Sequence, residues 1–183
     1  GGEDERAEKW MQRCLADDNL GDDLRAPLSL MLRGANAGRW LDIMQSRSMD
    51  PGIKGYTSLI ASCAQKGDAA GAKRHFAAME AAGYKADLKA FGALIKALTW
   101  SGEALEALRM LEVLQEQSLQ ADGRMYHQVL VALSKSDLHK VPELFRRMVA
   151  DRIAPGPAAF SSLRTALGSE KSKRLCVELG VGE

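Results

Sequence analysis

Three cations recur along the 183-residue chain at intervals of 35: Lys54, Lys89 and Arg124. Each stands two residues before an aromatic, Tyr56, Phe91 or Tyr126. Positive charge repeated at a fixed spacing suits a polyanion whose own charges repeat, and Arg124 can also stack on a base. A solvated helix start would use the same residue types, so both readings stand. Other reactive side chains are poorly placed for chemistry. His75, His127 and His139 fall in different parts of the chain, with no carboxylate or Cys at ligand spacing, which argues against a catalytic base or a metal centre. Cys14, Cys63 and Cys176 are odd in number, far apart and without a CxxC pair; buried thiols in a reducing compartment fit better than a disulfide scaffold or a zinc module. No Gly-rich phosphate loop occurs, and no cofactor is expected. These absences read as a non-enzymatic chain.

The bulk composition sets wide bounds. With 46% hydrophobic and 27% charged residues there is enough apolar material for a packed core. Lys+Arg 25 against Asp+Glu 24 gives a net charge of +1, which neither demands nor excludes a nucleic-acid partner. No apolar run is long enough to span a membrane. The opening "GGEDERAEKW" is acidic and helix-like, unlike a secretory signal or an Arg-rich transit peptide.

The elements that position the cations emerge from an internal repeat. "DIMQSRSMDPG" (42–52), "AAMEAAGYKAD" (77–87), "EVLQEQSLQAD" (112–122) and "RRMVADRIAPG" (146–156) start 35, 35 and 34 residues apart. A weaker copy, "QRCLADDNLGD" (12–22), precedes them. Between these segments lie "GYTSLIASCAQKGD" (55–68), "AFGALIKALTWSGE" (90–103) and "MYHQVLVALSKSD" (125–137). Leu59/Ile60, Leu94/Ile95 and Val129/Leu130 follow the aromatics at i+3 and i+4, one face of a helix, and Cys63, Leu98 and Leu133 extend it.

Gly67-Asp68 and Gly102-Glu103 end the first helix of each pair and start a second. The second helix carries Ala72, Phe76 and Met79; then Ala107, Leu111 and Leu114; and, after a one-residue deletion near Ser136-Asp137, Phe145 and Met148. Met44, Met79 and Met148 recur with the period, which marks them as core. Each unit predicts two antiparallel helices of roughly 12–15 residues, too small to bury their own apolar face, so units must stack into an α-solenoid. Units are expected at 53–87, 88–122 and 123–156. A shortened unit is expected at 23–52, with "RWLDIMQSR" (39–47) as its second helix, and a partial one at 1–22, with the helix "AEKWMQRCLA" (7–16). A degenerate one follows at 157–183, carrying "PAAFSSLRTALG" and "EKSKRLCVELG". Glu103, Glu106, Glu112 and Glu116 read as a solvated outer face, and "EKSKRL" (170–175) as a solvated last helix or a phosphate contact.

The string "YTSLIASCAQKGDAAGAKRHFAAMEAAGYKAD" (56–87) resembles a pentatricopeptide repeat: an aromatic, an apolar pair, a central Gly, then Ala, Phe and Met, closing on G-x-x-x-D. The likeness covers 53–156 well and the flanks loosely. It implies an all-α, right-handed α-solenoid of about five helix-turn-helix repeats of ~35 residues, with partial ends. It also implies single-stranded RNA as partner in a mitochondrion or chloroplast, bound in a concave groove that the first helices line. The family reads each base with the residue after the first-helix aromatic and the last residue of the unit. Those pairs here are Thr57 with Asp87, Gly92 with Asp122, and His127 with Gly156.

A hydroxyl with a carboxylate is the family's combination for guanine, whose N–H groups the acid can accept. Gly92 and Gly156 depart from that pattern, and in the shortened unit the reading position falls near Pro27 or Leu28. Lys54, Lys89 and Arg124 stand where the family places an aliphatic residue. Near the end of the first helix, where the family contacts phosphate with Lys, stand Gln65 with Lys66 beside it, Trp100 and Lys135. Trp100 suits base stacking or packing between helices. The incomplete reading pairs leave an alternative, a degenerate solenoid serving as a protein-interaction subunit of a large organellar complex such as a ribosome or membrane assembly.

Overall fold

In the computed structural model, the described residues are 49–182 together with Lys9, Arg13, Trp40, Leu41, Met44 and Ser46. The expected units at 1–22 and most of 23–52, the helices at 7–16 and 39–47 as wholes, Cys14 and the Pro27/Leu28 position lie outside them. Trp40, Leu41 and Met44 are helical and buried.

Over residues 52–178 the apolar stripes fold as eight α-helices in four antiparallel pairs: α1 (Gly52–Lys66) with α2 (Ala69–Ala81), α3 (Leu88–Trp100) with α4 (Ala104–Glu116), α5 (Gly123–Ser136) with α6 (Val141–Ala150), and α7 (Pro157–Leu167) with α8 (Ser169–Glu178). No strand occurs among the described residues. The first helices form one row, α1 against α3, α3 against α5, α5 against α7. Each second helix packs behind its own first helix and behind the next one, α2 on α3, α4 on α5, α6 on α7. The arrangement is an all-α, two-layer solenoid.

Aromatic contacts repeat at the joints. Phe76 of α2 meets Phe91 of α3 edge-on with ring centroids 5.1 Å apart, and Phe145 of α6 meets Phe160 of α7 at 5.7 Å. Leu111 and Tyr126 hold the equivalent places between them, both fully buried. Ala72, Ala107 and Val141 are likewise inaccessible to solvent, small enough to let the two layers close. Met44, Met79 and Met148 are core residues as their period predicts.

The caps explain why the helices begin where they do. Asp68, Asp87 and Asp122 each accept from a backbone N–H three residues on, Gly71, Ala90 and Met125, at 2.8 Å. Exits from the second helices are equally regular. The N–H of Tyr84, Leu119 and Ile153 reaches back to the carbonyl of Met79, Leu114 and Met148 at 3.1, 3.1 and 3.0 Å, a six-to-one closure that needs a left-handed residue just before it. Gly83 supplies that residue at φ +81°, whereas Ser118 and Arg152 are forced into it at φ +60°.

Three expectations need correction. The last helices are shorter than 12–15 residues: α6 has 10, α7 has 11 and α8 has 10. In α6 the cause is Pro142, which lacks an N–H and fits only the first turn; Leu138–Lys140 form a 3-10 turn instead, capped by Asp137. The acidic run is not simply solvated. Stacking brings Glu103 to Lys73 of α2 at 2.7 Å and Glu112 to Arg147 of α6 at 3.6 Å, tying successive second helices. Both pairs are half-exposed, so they set orientation more than stability. Tyr126 is not only an apolar marker. Its hydroxyl donates to the Asp151 carboxylate and accepts from Gln115 Nε2 at 3.0 Å, while Arg147 donates to the Gln115 carbonyl oxygen. Burial, then the Asp151 carboxylate, pushes the Tyr126 phenol well above its usual range.

Replacing Ser118 or Arg152 by Gly should raise stability in denaturant unfolding by about 0.5–1 kcal/mol each, because relief of the left-handed penalty exceeds glycine's added unfolded-state entropy. Unchanged or lower stability would show that these turns are not strained. His75, half-buried on α2, has its pKa lowered by burial and then by the neighbouring Arg74. Its neutral form therefore stabilises the fold above the unfolded value of about 6.5, and that contribution is lost as pH falls below it. His75→Gln should flatten the stability profile in the mildly acidic range, as followed by thermal melting against pH; an unaltered profile contradicts this.

Candidate functional site

The row of first helices presents the same four turns to solvent in each pair. On α1 these are Lys54, Thr57, Ala61 and Gln65; on α3, Lys89, Gly92, Lys96 and Trp100; on α5, Arg124, His127, Val131 and Lys135. In every case the outer two are exposed and the inner two half-buried, as expected for the edge of one helical face. The positions that the sequence marked as chemically capable therefore share one surface.

Charge is segregated between the layers although the chain as a whole is near neutral. The first helices contain Lys54, Lys66, Lys89, Lys96, Arg124, Lys135 and Arg164, and no Asp or Glu. Among these eight helices the carboxylates, from Glu80 to Glu178, all sit on the second helices, where Lys and Arg accompany them. Within the helices themselves this row carries cations in excess, offset in part by the Asp87 and Asp122 caps, and its field falls off over about 10 Å at 0.1 M salt.

Between α3 and α5 this face opens into a cleft of about 330 Å³, lined by Lys89, Gly92, Ala93, Lys96, Asp122, Arg124, Met125 and Gln128 with Leu88 at its edge. Four sequence-predicted residues, Lys89, Gly92, Asp122 and Arg124, are brought together there. Lys89 and Arg124 stand on opposite walls. Gly92 leaves the wall bare: a Cβ there would approach the Met125 Cε at 3.1 Å, so any side chain would narrow the cleft. Asp122 divides its carboxylate. One oxygen caps α5 at 2.8 Å from the Met125 N–H, and the other faces the Arg124 guanidinium at 3.9 Å.

The remaining candidates are more dispersed. Asp87 caps α3 through one oxygen, leaving the other available, and is half-buried. Thr57 donates its hydroxyl proton to the Ile53 carbonyl at 2.8 Å, so outwardly it offers lone pairs. His127 is half-buried on α5, and Gly156 is the uncapped start of α7, supplying neither a charge nor a helix cap. Lys66 ends α1 and Lys135 lies in the last turn of α5, both exposed.

Trp100 does not pack between helices. It is 61% exposed at the end of α3, with the Lys96 ammonium 4.5 Å from its ring centroid. Lys96 is the functional candidate that repeat alignment hides, since its counterparts Ala61 and Val131 are apolar. The signal lay instead within the helix, seven residues after Lys89 and four before Trp100. On α8, Lys171, Lys173 and Arg174 are exposed while Ser172 and Leu175 turn inward. Among the described residues no cluster of His, Cys, Asp and Glu could hold a metal ion, and no helix is long and apolar enough to cross a membrane.

Known proteins place this geometry. The chain is similar to the maize pentatricopeptide repeat protein PPR10, with a TM-score of 0.69, 18% identity, and coverage of 97% of this chain and 26% of that one. Against PPR10 in complex with an 18-nt psaJ RNA element the TM-score is 0.65 and the identity 21%, covering 87% of this chain and 25% of that one. The pentatricopeptide repeat domain of Arabidopsis thaliana protein-only RNase P 1, in complex with tRNA, gives a TM-score of 0.68 at 16% identity, covering 94% of this chain and 86% of that one. The chain thus spans about a quarter of PPR10. No curated protein matches it in sequence. The family model for pentatricopeptide repeat-containing proteins matches residues 56–160, more than half of the 183 residues, and the chain belongs to that family.

Proposed function

We propose that the chain binds single-stranded RNA along the row formed by α1, α3, α5 and α7, with backbone contacts supplying more of the affinity than base reading. The observation that carries this is the segregation of charge: the first helices hold only cations, and the cleft between α3 and α5 places Lys89, Lys96 and Arg124 around one nucleotide-sized space. Such a surface favours a flexible polyanion, and a single strand can seat successive nucleotides between successive helices. In this reading the units run 53–87, 88–122 and 123–156, flanked by 1–22, 23–52 and 157–183, and the protein works on organellar RNA in a mitochondrion or chloroplast.

Base discrimination is uneven along the row. Thr57 with Asp87 presents lone pairs and a carboxylate oxygen, a combination suited to the N–H groups of guanine. Gly92 with Asp122 keeps only the acid, whose free oxygen is partly neutralised by Arg124. His127 with Gly156 has no acid at all. One complete reader gives weak sequence preference superimposed on salt-sensitive affinity. A role as protein-interaction subunit of a large complex is less favoured: its support is the incomplete reading pairs and the near-neutral charge, while the exposed aliphatic side chains Leu88, Leu105, Leu138 and Val177 each lie on a different element.

The test is fluorescence anisotropy with a labelled mixed-sequence single-stranded RNA over a salt series. The Lys89→Gln, Arg124→Gln double variant should reduce the slope of log K against log salt by about 1.4, two contacts at ~0.7 each for single strands. The Arg109→Gln, Arg146→Gln double variant on the second helices should leave it unchanged. Absence of salt-sensitive binding, or equal loss from both pairs, would refute the proposal. Asp122→Asn should keep the α5 cap and tighten RNA binding by removing a negative charge, whereas Asp122→Ala should cost about 0.5–2 kcal/mol of stability. Weaker RNA binding by a fully folded Asp122→Asn would instead mark this carboxylate as a base acceptor.

A further inference from the structure

On α3 the exposed stripe runs Lys89, Gly92, Lys96, Trp100, and only its first part is used by the cleft. Lys96 belongs to both parts. It lines the cleft, and its ammonium lies 4.5 Å from the centroid of the Trp100 ring. From Lys89 to Trp100 the helix rises about 16 Å, more than the cleft occupant alone would cover.

The indole is 61% exposed, and repeat architecture does not require it, because the matching positions carry Gln65 and Lys135. A large apolar ring left in solvent beside a cation marks a surface built for a ligand with both a flat face and a negative charge. Lys96 argues against cationic ligands such as a methylated lysine side chain, which the same ammonium would repel.

We propose that Trp100 is a stacking platform for a second nucleobase of the bound strand, and that Lys96 holds the phosphate linking that nucleotide to the one seated between α3 and α5. The inference rests on the RNA-binding reading above. The Lys96 ammonium stands over the indole ring, and the residue's high exposure leaves ring surface for a base. The site extends the bound strand along α3 toward the turn before α4, in addition to its passage from α3 to α5. Stacking on an indole is tolerant of base identity, so this contact adds affinity without sequence preference.

Anisotropy with a labelled single-stranded RNA and intrinsic tryptophan fluorescence test it on the full chain. Trp100→Ala should weaken binding roughly 5- to 150-fold, the range for loss of one stacked base, while Trp100→Phe retains most of the affinity. Lys96→Gln should lower the salt slope by about 0.7. RNA should quench the fluorescence of the wild type, and the quenching should vanish in Trp100→Phe, where Trp10 and Trp40 remain. Melting temperatures of both Trp100 variants should match the wild type, since that side chain is exposed, and Lys96→Gln should shift the melt little because it keeps the aliphatic stem. If Trp100→Ala binds as the wild type does while Lys89→Gln, Arg124→Gln still weakens binding, the platform is refuted and the groove reading stands. A wild type that binds no RNA overturns both.

Discussion

The whole structure depends on an apolar face that no helical pair can cover alone. α2 has its Phe76 on the Phe91 of the next pair, and α6 has its Phe145 on the Phe160 of the next. Because each second helix is buried between two first helices, the pairs must stack in register, and the first helices must lie side by side. Side chains one repeat apart in sequence then become neighbours in space. A cation placed once per unit, at Lys54, Lys89 and Arg124, becomes a charged row without any local clustering in the sequence. Packing makes this cationic face, and the charges themselves contribute little to holding it together.

The same register makes helix caps part of that surface. The last residue of one unit caps the first helix of the next, so Asp87 and Asp122 spend one carboxylate oxygen on the fold and keep the other toward the groove. Under the proposed RNA-binding function, capping and base reading are coupled through one side chain. Where Gly156 takes this place, both the cap bond and the acid are lost together, and α7 begins with Pro157 in its first turn instead. The layer behind handles its charge differently. Glu103 with Lys73 and Glu112 with Arg147 pair acids and bases between successive second helices, whereas on the first-helix row the cations outnumber the Asp87 and Asp122 caps.

Much of this was legible from spacing. Period 35 with i, i+3, i+4 stripes gave the helices and their buried faces, since hydrophobic periodicity is set by backbone geometry and survives sequence change. Lys89, Gly92, Asp122 and Arg124 could be grouped before any coordinates, because stacking by one repeat brings equivalent positions together. Lys96 was missed because its repeat partners Ala61 and Val131 are apolar, so the repeat carries no trace of it. The Tyr126, Asp151, Gln115 and Arg147 network joins residues from α4, α5 and the end of α6, and no short-range pattern encodes such a meeting. Trp100 left two readings open in the sequence, stacking or packing between helices, and only its 61% exposure removes the second.

The central claim is that RNA runs on the first-helix row and not elsewhere on the solenoid. Photocrosslinking with a single-stranded RNA carrying 4-thiouridine, followed by mass spectrometry of the linked peptides, tests it most directly. Crosslinks should fall within 52–66, 88–100 and 123–136, concentrated around the cleft between α3 and α5. Crosslinks gathered on the second helices, at 69–81, 104–116 or 141–150, would contradict the account.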